Sequence, residues 1–154
     1  MLLKSTFKSA LKVAAASAAV IVASTTVATS AQAFWFNTVN INQIGIDNAV
    51  AGSQTGVFNH IEFWQDGAWN TAVTAQDGAG NVVAIGQSGF GNEAYGDQFG
   101  DCNVSGIGQF GSGHYAETNQ SGDCNAVAVL QFGSGQSTTA NQVGSGNSAV
   151  IIQY

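Results

Sequence analysis

No proline occurs in the 154 residues, and no lysine or arginine follows Lys12. The lack of proline removes one of the devices that block an exposed strand edge. All three cations, Lys4, Lys8 and Lys12, sit near the start of the chain. Residues 34–154 keep all nine acids and no lysine or arginine, a formal charge of −9 with histidine neutral. A segment with no cation has nothing to neutralise phosphates, which excludes nucleic-acid binding. Attachment to an anionic membrane surface is excluded on the same ground. The two cysteines show no C-x-x-C and no other metal-ligand spacing. Few charges and 20 glycines would suit a low-complexity, disordered segment. A strict internal repeat argues against that.

Residues 1–33 carry the pattern of a secretory signal peptide. Lys4, Lys8 and Lys12 form a basic start, a small apolar stretch begins at Val13, and Ala31-Gln32-Ala33 is an A-x-A cleavage site. A membrane anchor fits less well, because the run is diluted by Ser and Thr and falls short of ~20 strongly apolar residues. The expectation is a secreted chain, 34–154, of 121 residues with no membrane insertion. It would consist of a short segment, 34–36, and one repeat domain, 37–154.

The repeat is Gln-x-Gly, recurring every 11 residues without insertion or deletion. Its glutamines are Gln43, Gln54, Gln65, Gln76, Gln87, Gln98, Gln109, Gln120, Gln131 and Gln142, with Gln153 closing the series. Its glycines are Gly45, Gly56, Gly67, Gly78, Gly89, Gly100, Gly111, Gly122, Gly133 and Gly144. Five residues after each glutamine come Asn48, Asn59, Asn70, Asn81, Asn92, Asn103, His114, Asn125, Gln136 and Asn147, and one period before Asn48 lies Asn37. The unit is therefore N-x-φ-x-φ-x-Q-x-G-x-x, eleven times over.

From Asn to Gln is seven residues, a strand's length. Alternation puts the Asn, both φ positions and the Gln on one face. The remaining x-G-x-x forms a tight arc, where glycine permits positive φ. The inward φ positions hold pairs such as Ile61/Phe63, Val83/Ile85 and Ala94/Gly96, and none is charged. All nine acids fall outside, with Glu62, Glu93, Asp97 and Glu117 on the outward face and Asp47, Asp66, Asp77, Asp101 and Asp123 in the arcs. Exclusion of unpaired charge from the interior produces this distribution and fixes the register.

Alternate units differ in size. Those starting at 37, 59, 81, 103, 125 and 147 carry mostly large inward residues, and those starting at 48, 70, 92, 114 and 136 mostly small ones. The fold class expected is all-β. It is a β-solenoid with 22-residue rungs of strand, arc, strand, arc, and with two facing parallel sheets, one bulky and one small. Each strand stacks on the one 22 residues away, about 4.8 Å along the axis, so like residues form columns as in amyloid-like cross-β structure. Five and a half rungs would span about 26 Å. With only Phe34-Trp35-Phe36 before the array and Gln153-Tyr154 at its end, no cap is expected on the open ends, which invite a second copy.

The stretches Asn81-Val82-Val83-Ala84-Ile85-Gly86-Gln87-Ser88-Gly89-Phe90-Gly91-Asn92 and Gln142-Val143-Gly144-Ser145-Gly146-Asn147-Ser148-Ala149 resemble the Q-x-G-x-x-N-x-A…Q repeat of the curlins, subunits of the bacterial extracellular amyloid fibres called curli. The resemblance covers essentially all of 37–154. It implies a secreted β-solenoid that crosses the outer membrane unfolded through a secretion channel. It further implies polymerisation with itself at the cell surface, with help from a nucleator subunit, in adhesion and biofilm matrix. The motif Gln and Asn residues would carry assembly. The chain departs from the family in lacking the major curlin's Gly-rich leader, and in placing His114 and Gln136 where the motif has Asn. The alternatives are the family's minor, nucleating subunit and a non-polymerising ice- or surface-binding solenoid. The nucleator's basic, irregular terminal repeat is not found here. An ice-binding face needs a regular outward Thr array, whereas Ala49, Thr71, Glu93, Tyr115 and Ser137 are irregular.

Several residues remain. Cys102 and Cys124 are 22 apart, each before a motif Asn, and should lie over one another at about 4.8 Å. A disulfide and a pair of stacked free thiols are both open. Asp101 and Asp123 stack likewise and could share a cation, although solvated arc residues are the plainer expectation. His60 and Glu62 share an outward face, and Phe110 should stack on Phe132. Ala126/Ala128/Leu130 and Val150/Ile152 are outward apolar clusters that suit lateral contact between fibres. With four-residue arcs and no nucleophile elbow or P-loop, no enzymatic activity and no cofactor are expected.

Overall fold

A computed structural model of the chain describes residues 25–154. Residues 1–24, most of the predicted signal peptide, lie outside it. Twelve strands follow one another: β1 (Thr25–Trp35), β2 (Thr38–Ile46), β3 (Ala49–Val57), β4 (His60–Ala68), β5 (Thr71–Ala79), β6 (Val82–Phe90), β7 (Glu93–Phe99), β8 (Val104–Ser112), β9 (Tyr115–Ser121), β10 (Ala126–Ser134), β11 (Ser137–Val143) and β12 (Ser148–Gln153). They form two parallel sheets of six, ordered β1-β3-β5-β7-β9-β11 and β12-β10-β8-β6-β4-β2. Between β2 and β12 every pairing is offset by 22 residues, for example Gln65↔Gln87 and Gln87↔Gln109. The chain is thus a β-solenoid with the rung length expected from the repeat.

The faces follow the alternation. Ile61, Phe63, Val83, Ile85, Ile107, Val127 and Val129 from the bulky sheet meet Val50, Ala72, Ala94, Ala116 and Ala140 from the small one. Glycine serves the core where the opposite residue is large. A Cβ on Gly52 would lie 3.3 Å from the Phe63 ring, and one on Gly96 would lie 3.3 Å from Val83 Cγ1. Polar core residues are paired: Ser105 Oγ and Thr118 Oγ1 share a 2.7 Å hydrogen bond, and Thr74 Oγ1 donates to the Gly96 carbonyl.

The seven-residue strand bounds need correction. The motif Asn lies just outside the strand, and most strands run nine residues, on through the motif glycine. Stacked arcs have the same shape, so their backbones pair as well: Gly45↔Gly67, Gly67↔Gly89 and Gly89↔Gly111. That close approach excludes a side chain. At Gly89 (φ +123°) a Cβ would lie 1.9 Å from the Gly111 carbonyl oxygen.

β1 differs from the rest. It contains residues 25–33 of the predicted signal peptide, crosses Ala31-Gln32-Ala33, and pairs with β3 in a register that breaks between Ala28 and Ala31 and between Ala33 and Trp35. The repeat-bearing strands pair without such breaks.

Two glycines three residues apart should respond oppositely to alanine. Gly89→Ala meets backbone and a left-handed φ, and is expected to abolish the cooperative fold. At outward Gly86 an added Cβ meets nothing within 4 Å. Gly86→Ala is expected to be neutral or to gain about 0.5–1 kcal/mol, because glycine is costly within a strand. Urea unfolding followed by circular dichroism distinguishes the two.

Candidate functional site: the amide ladders and the open edges

Each motif glutamine points inward from the C-terminal half of its strand, and those from Gln54 to Gln131 are at most 2% exposed. A buried primary amide must bond both its oxygen and its N–H groups. Stacking solves this. In the bulky sheet Gln43 Nε2 donates to Gln65 Oε1 (2.6 Å), Gln65 to Gln87 (2.6 Å), Gln87 to Gln109 (2.8 Å), Gln109 to Gln131 (2.9 Å) and Gln131 to Gln153 (2.8 Å). In the small sheet the column runs Gln54, Gln76, Gln98, Gln120 and Gln142, at 2.8–2.9 Å. The same Nε2 also donates to a carbonyl 16 residues earlier, in the opposite sheet, as Gln54 does to Thr38 and Gln109 to Glu93. Each glutamine therefore ties its rung to the next and one sheet to the other.

The asparagines close the arcs. Asn48 Oδ1 accepts the Asn70 backbone N–H (3.1 Å), and Asn48 Nδ2 donates to the Gly67 carbonyl (3.1 Å). The pattern repeats at Asn59, Asn70, Asn81, Asn92, Asn103 and Asn125. His114 stands in for asparagine. Its N–H donates to Asn92 Oδ1, and its Nδ1 accepts the Gln136 N–H at 3.3 Å. Gln136, the other departure, leaves its Oε1 buried without a partner among the described residues.

These ladders have a direction. Along each glutamine column the amide N–H groups point toward the C-terminal end and the oxygens toward the N-terminal end, whereas the asparagine Oδ1 atoms face the C-terminal end and accept from the next rung. At the N-terminal end Gln43 Oε1 and Gln54 Oε1 are buried with no hydrogen-bond partner among the described residues. β1 covers β3, with Ala31 in register opposite Gln54. At the C-terminal end Gln142 and Gln153 keep their donations to the Ala126 and Ser137 carbonyls but have no glutamine beyond them among the described residues. The outer strands there, β11 and β12, have no neighbour on their far edges among the described residues.

The remaining candidates fall outside the ladders. Cys102 and Cys124 are bonded, with Cα atoms 4.6 Å apart, which settles the open alternative in favour of the disulfide. Asp101 and Asp123 each accept a backbone N–H from the rung below, those of Ala79 and Asp101 respectively. No group of three His, Cys, Asp or Glu side chains is placed to hold a metal among the described residues. His60 Nδ1 is 2.5 Å from Thr38 Oγ1. Phe110 stacks on Phe132 at 5.3 Å, and Phe132 on Tyr154 at 5.6 Å. Leu130, from the predicted apolar cluster, walls a trough of about 370 Å³ on the outer face of the bulky sheet, floored by Gly86, Gly106 and Gly108.

Three features escaped the sequence reading. A second left-handed position precedes each motif Asn and its replacements His114 and Gln136, held by Phe36, Asp47, Phe58, Trp69, Cys102 and Cys124 or by Gly80, Gly91, Gly113, Gly135 and Gly146. The recurring G-x-G before Asn was its signal. Trp69 Nε1 donates to Asp47 Oδ2 across one rung at 3.0 Å. On the outer face of the small sheet an acid cluster gathers: Tyr115 and Asn119 donate to Glu117, and the Ala75 N–H donates to Asp97. Burial raises the Asp97 pKa, the Ala75 N–H opposes the shift, and the Glu117 charge adds to it. Glu117 is lowered by the Asn119 and Tyr115 hydrogen bonds. No family model, no curated protein and no solved structure matches the chain.

Gln109→Leu leaves Gln131 Oε1 and the Glu93 carbonyl without their donor. It is expected to cost about 2–6 kcal/mol in urea unfolding, at about 1–3 kcal/mol for each of the two stranded groups. Asn119→Leu, which removes only outward bonds, should stay within about 0.5 kcal/mol. The raised Asp97 pKa fixes a sign with pH. The folded state binds that proton more tightly, so stability should rise as pH falls from 7 toward the carboxylate range. Asp97→Asn should remove that rise. Glu117 acts oppositely, losing its contribution only once pH falls through its lowered pKa.

Proposed function

We propose that the chain is a secreted structural subunit of a curli-type extracellular amyloid fibre, built by end-to-end stacking of solenoids and serving adhesion and biofilm matrix. The observation that carries this is the polarity of the ends. Two buried glutamine oxygens lack a donor at one end, and two glutamine amides lead their columns at the other. A stranded buried acceptor costs about 1–3 kcal/mol, and a second copy removes that cost by continuing the column. Opposite polarities make the stacking head to tail. Unpaired strand edges at the same ends add backbone bonds to the junction.

The signal-peptide pattern of 1–33 supports export. The last unit keeps the ladder, Gln131 donating to Gln153, which favours a main subunit over a nucleator. A nucleator subunit and an outer-membrane secretion channel are the other partners this function calls for. The charge of −9 on 34–154 with no cation argues for slow association at neutral pH and faster association on acidification.

The test is release of residues 34–154 from denaturant, following thioflavin fluorescence and fibre diffraction with and without preformed seeds. Seedable fibres with a meridional reflection near 4.8 Å are expected. A folded chain that stays monomeric at all concentrations and with seeds would overturn the proposal.

A further inference from the structure

The repeat-bearing strands of 37–154 are odd in number. The bulky sheet holds six (β2, β4, β6, β8, β10 and β12) and the small sheet five (β3, β5, β7, β9 and β11). At the C-terminal end the outermost strand is β12, half a rung beyond β11. At the N-terminal end β2 is half a rung below β3. Suppose a second copy stacks with like sheet on like sheet, β2 of the newcomer on β12. Its β3 then lies two rungs above β11, not one, and a strand-sized gap opens in the small sheet. Gln153 reaches Gln43 of the newcomer, but Gln142 and the newcomer's Gln54 face the gap. The backbone edges of β11 and β3 face it as well.

A half-turn of the second copy about the fibre axis closes the gap. β2 of the newcomer then stacks on β11, and its β3 on β12. Gln142 donates to Gln43 and Gln153 to Gln54, so both stranded oxygens are satisfied at once. The half-turn is available because the 11-residue unit puts Asn and Gln at the same positions in both sheets. The outward amide column also continues. Asn119 Nδ2 donates to Asn141 Oδ1 at 3.0 Å, and the half-turn sets Asn42 over Asn141, whereas like-on-like stacking sets Ile152 against Asn42. Two strands from the bulky sheet, β12 and β2, then face each other across the core. Their inward pairs, Ala149/Ile151 and Val39/Ile41, are smaller than Ile61/Phe63, which leaves room. The like-on-like arrangement does lay Ile44 over Tyr154 at the rim. That single exposed contact does not offset a missing strand and two unpaired buried amides.

We infer that successive copies of residues 34–154 in a fibre are related by a half-turn about its axis, each junction placing the bulky sheet of one copy on the small sheet of the next. The inference rests on the fibre proposal and on removal of β1, which otherwise covers β3. With β1 retained, each sheet has six strands and the half-turn is unnecessary.

The test is the helical symmetry of fibres grown from residues 34–154, read by electron cryo-microscopy. That segment holds every core residue and every rung of both ladders, so it contains what the fold needs. The expected symmetry is a subunit rise of five and a half rungs, about 26 Å, with a rotation near 180° beyond the solenoid's own twist. A second chain carries a copy of residues 133–143 after Tyr154, which adds one small-sheet unit in phase. Its rise should become six rungs, about 29 Å, and the half-turn should vanish. Fibres of 34–154 without the half-turn would overturn the inference and leave the fibre proposal standing. Absence of fibres from both chains would remove both.

Discussion

Everything in this molecule follows from hiding primary amides in a core. Eight consecutive motif glutamines, Gln54 to Gln131, and most motif asparagines are almost wholly out of contact with water. An isolated buried amide is destabilising, and only another amide one rung away offers a donor and an acceptor in the right places. The ladder therefore permits one kind of neighbour, a strand of the same motif displaced along the axis. That restriction fixes the rung at 22 residues and the parallel pairing in register. It also gives the solenoid two chemically unlike ends.

The arcs bear the second constraint. Each turns the chain within four residues, through two left-handed positions. Stacked arc backbones come so close that the motif glycine admits no Cβ. Asparagine then holds the arc shut from inside, bonding the next asparagine's N–H and a glycine carbonyl. Outside these positions the chain is free to vary. The disulfide joins two of the left-handed arc positions, whereas the Phe110–Phe132 stack and the outer acid cluster sit where the ladders make no demand.

The solenoid was legible because burial and repeat speak together. Asn, two apolar residues and Gln alternate on one face, and the acids never enter it, so a one-residue slip would have been visible. The bulky and small units at alternate positions disclosed the two facing sheets. Strand ends were less legible, since nothing in Gln-x-Gly says that the arc backbone itself pairs with the rung above. The left-handed residue before Asn was hidden because Trp69, Phe58 and Cys102 occupy it as readily as Gly80 or Gly91. The stacking role of the glutamines was legible, but their bonds to the opposite sheet depend on three-dimensional placement. The same holds for the raised pKa of Asp97, which owes more to burial than to any neighbour in sequence.

The central claim is that the amide columns run on from one molecule into the next. The direct measurement is solid-state NMR of fibres grown from a mixture of two preparations of residues 34–154, one labelled with ¹⁵N and the other with ¹³C at the glutamine side chains. Polarisation should pass between molecules from the Gln142 and Gln153 amide nitrogens to the Gln43 and Gln54 side-chain carbonyl carbons. Fibres that show no glutamine-to-glutamine transfer between molecules, and only contacts between outward side chains, would contradict the account.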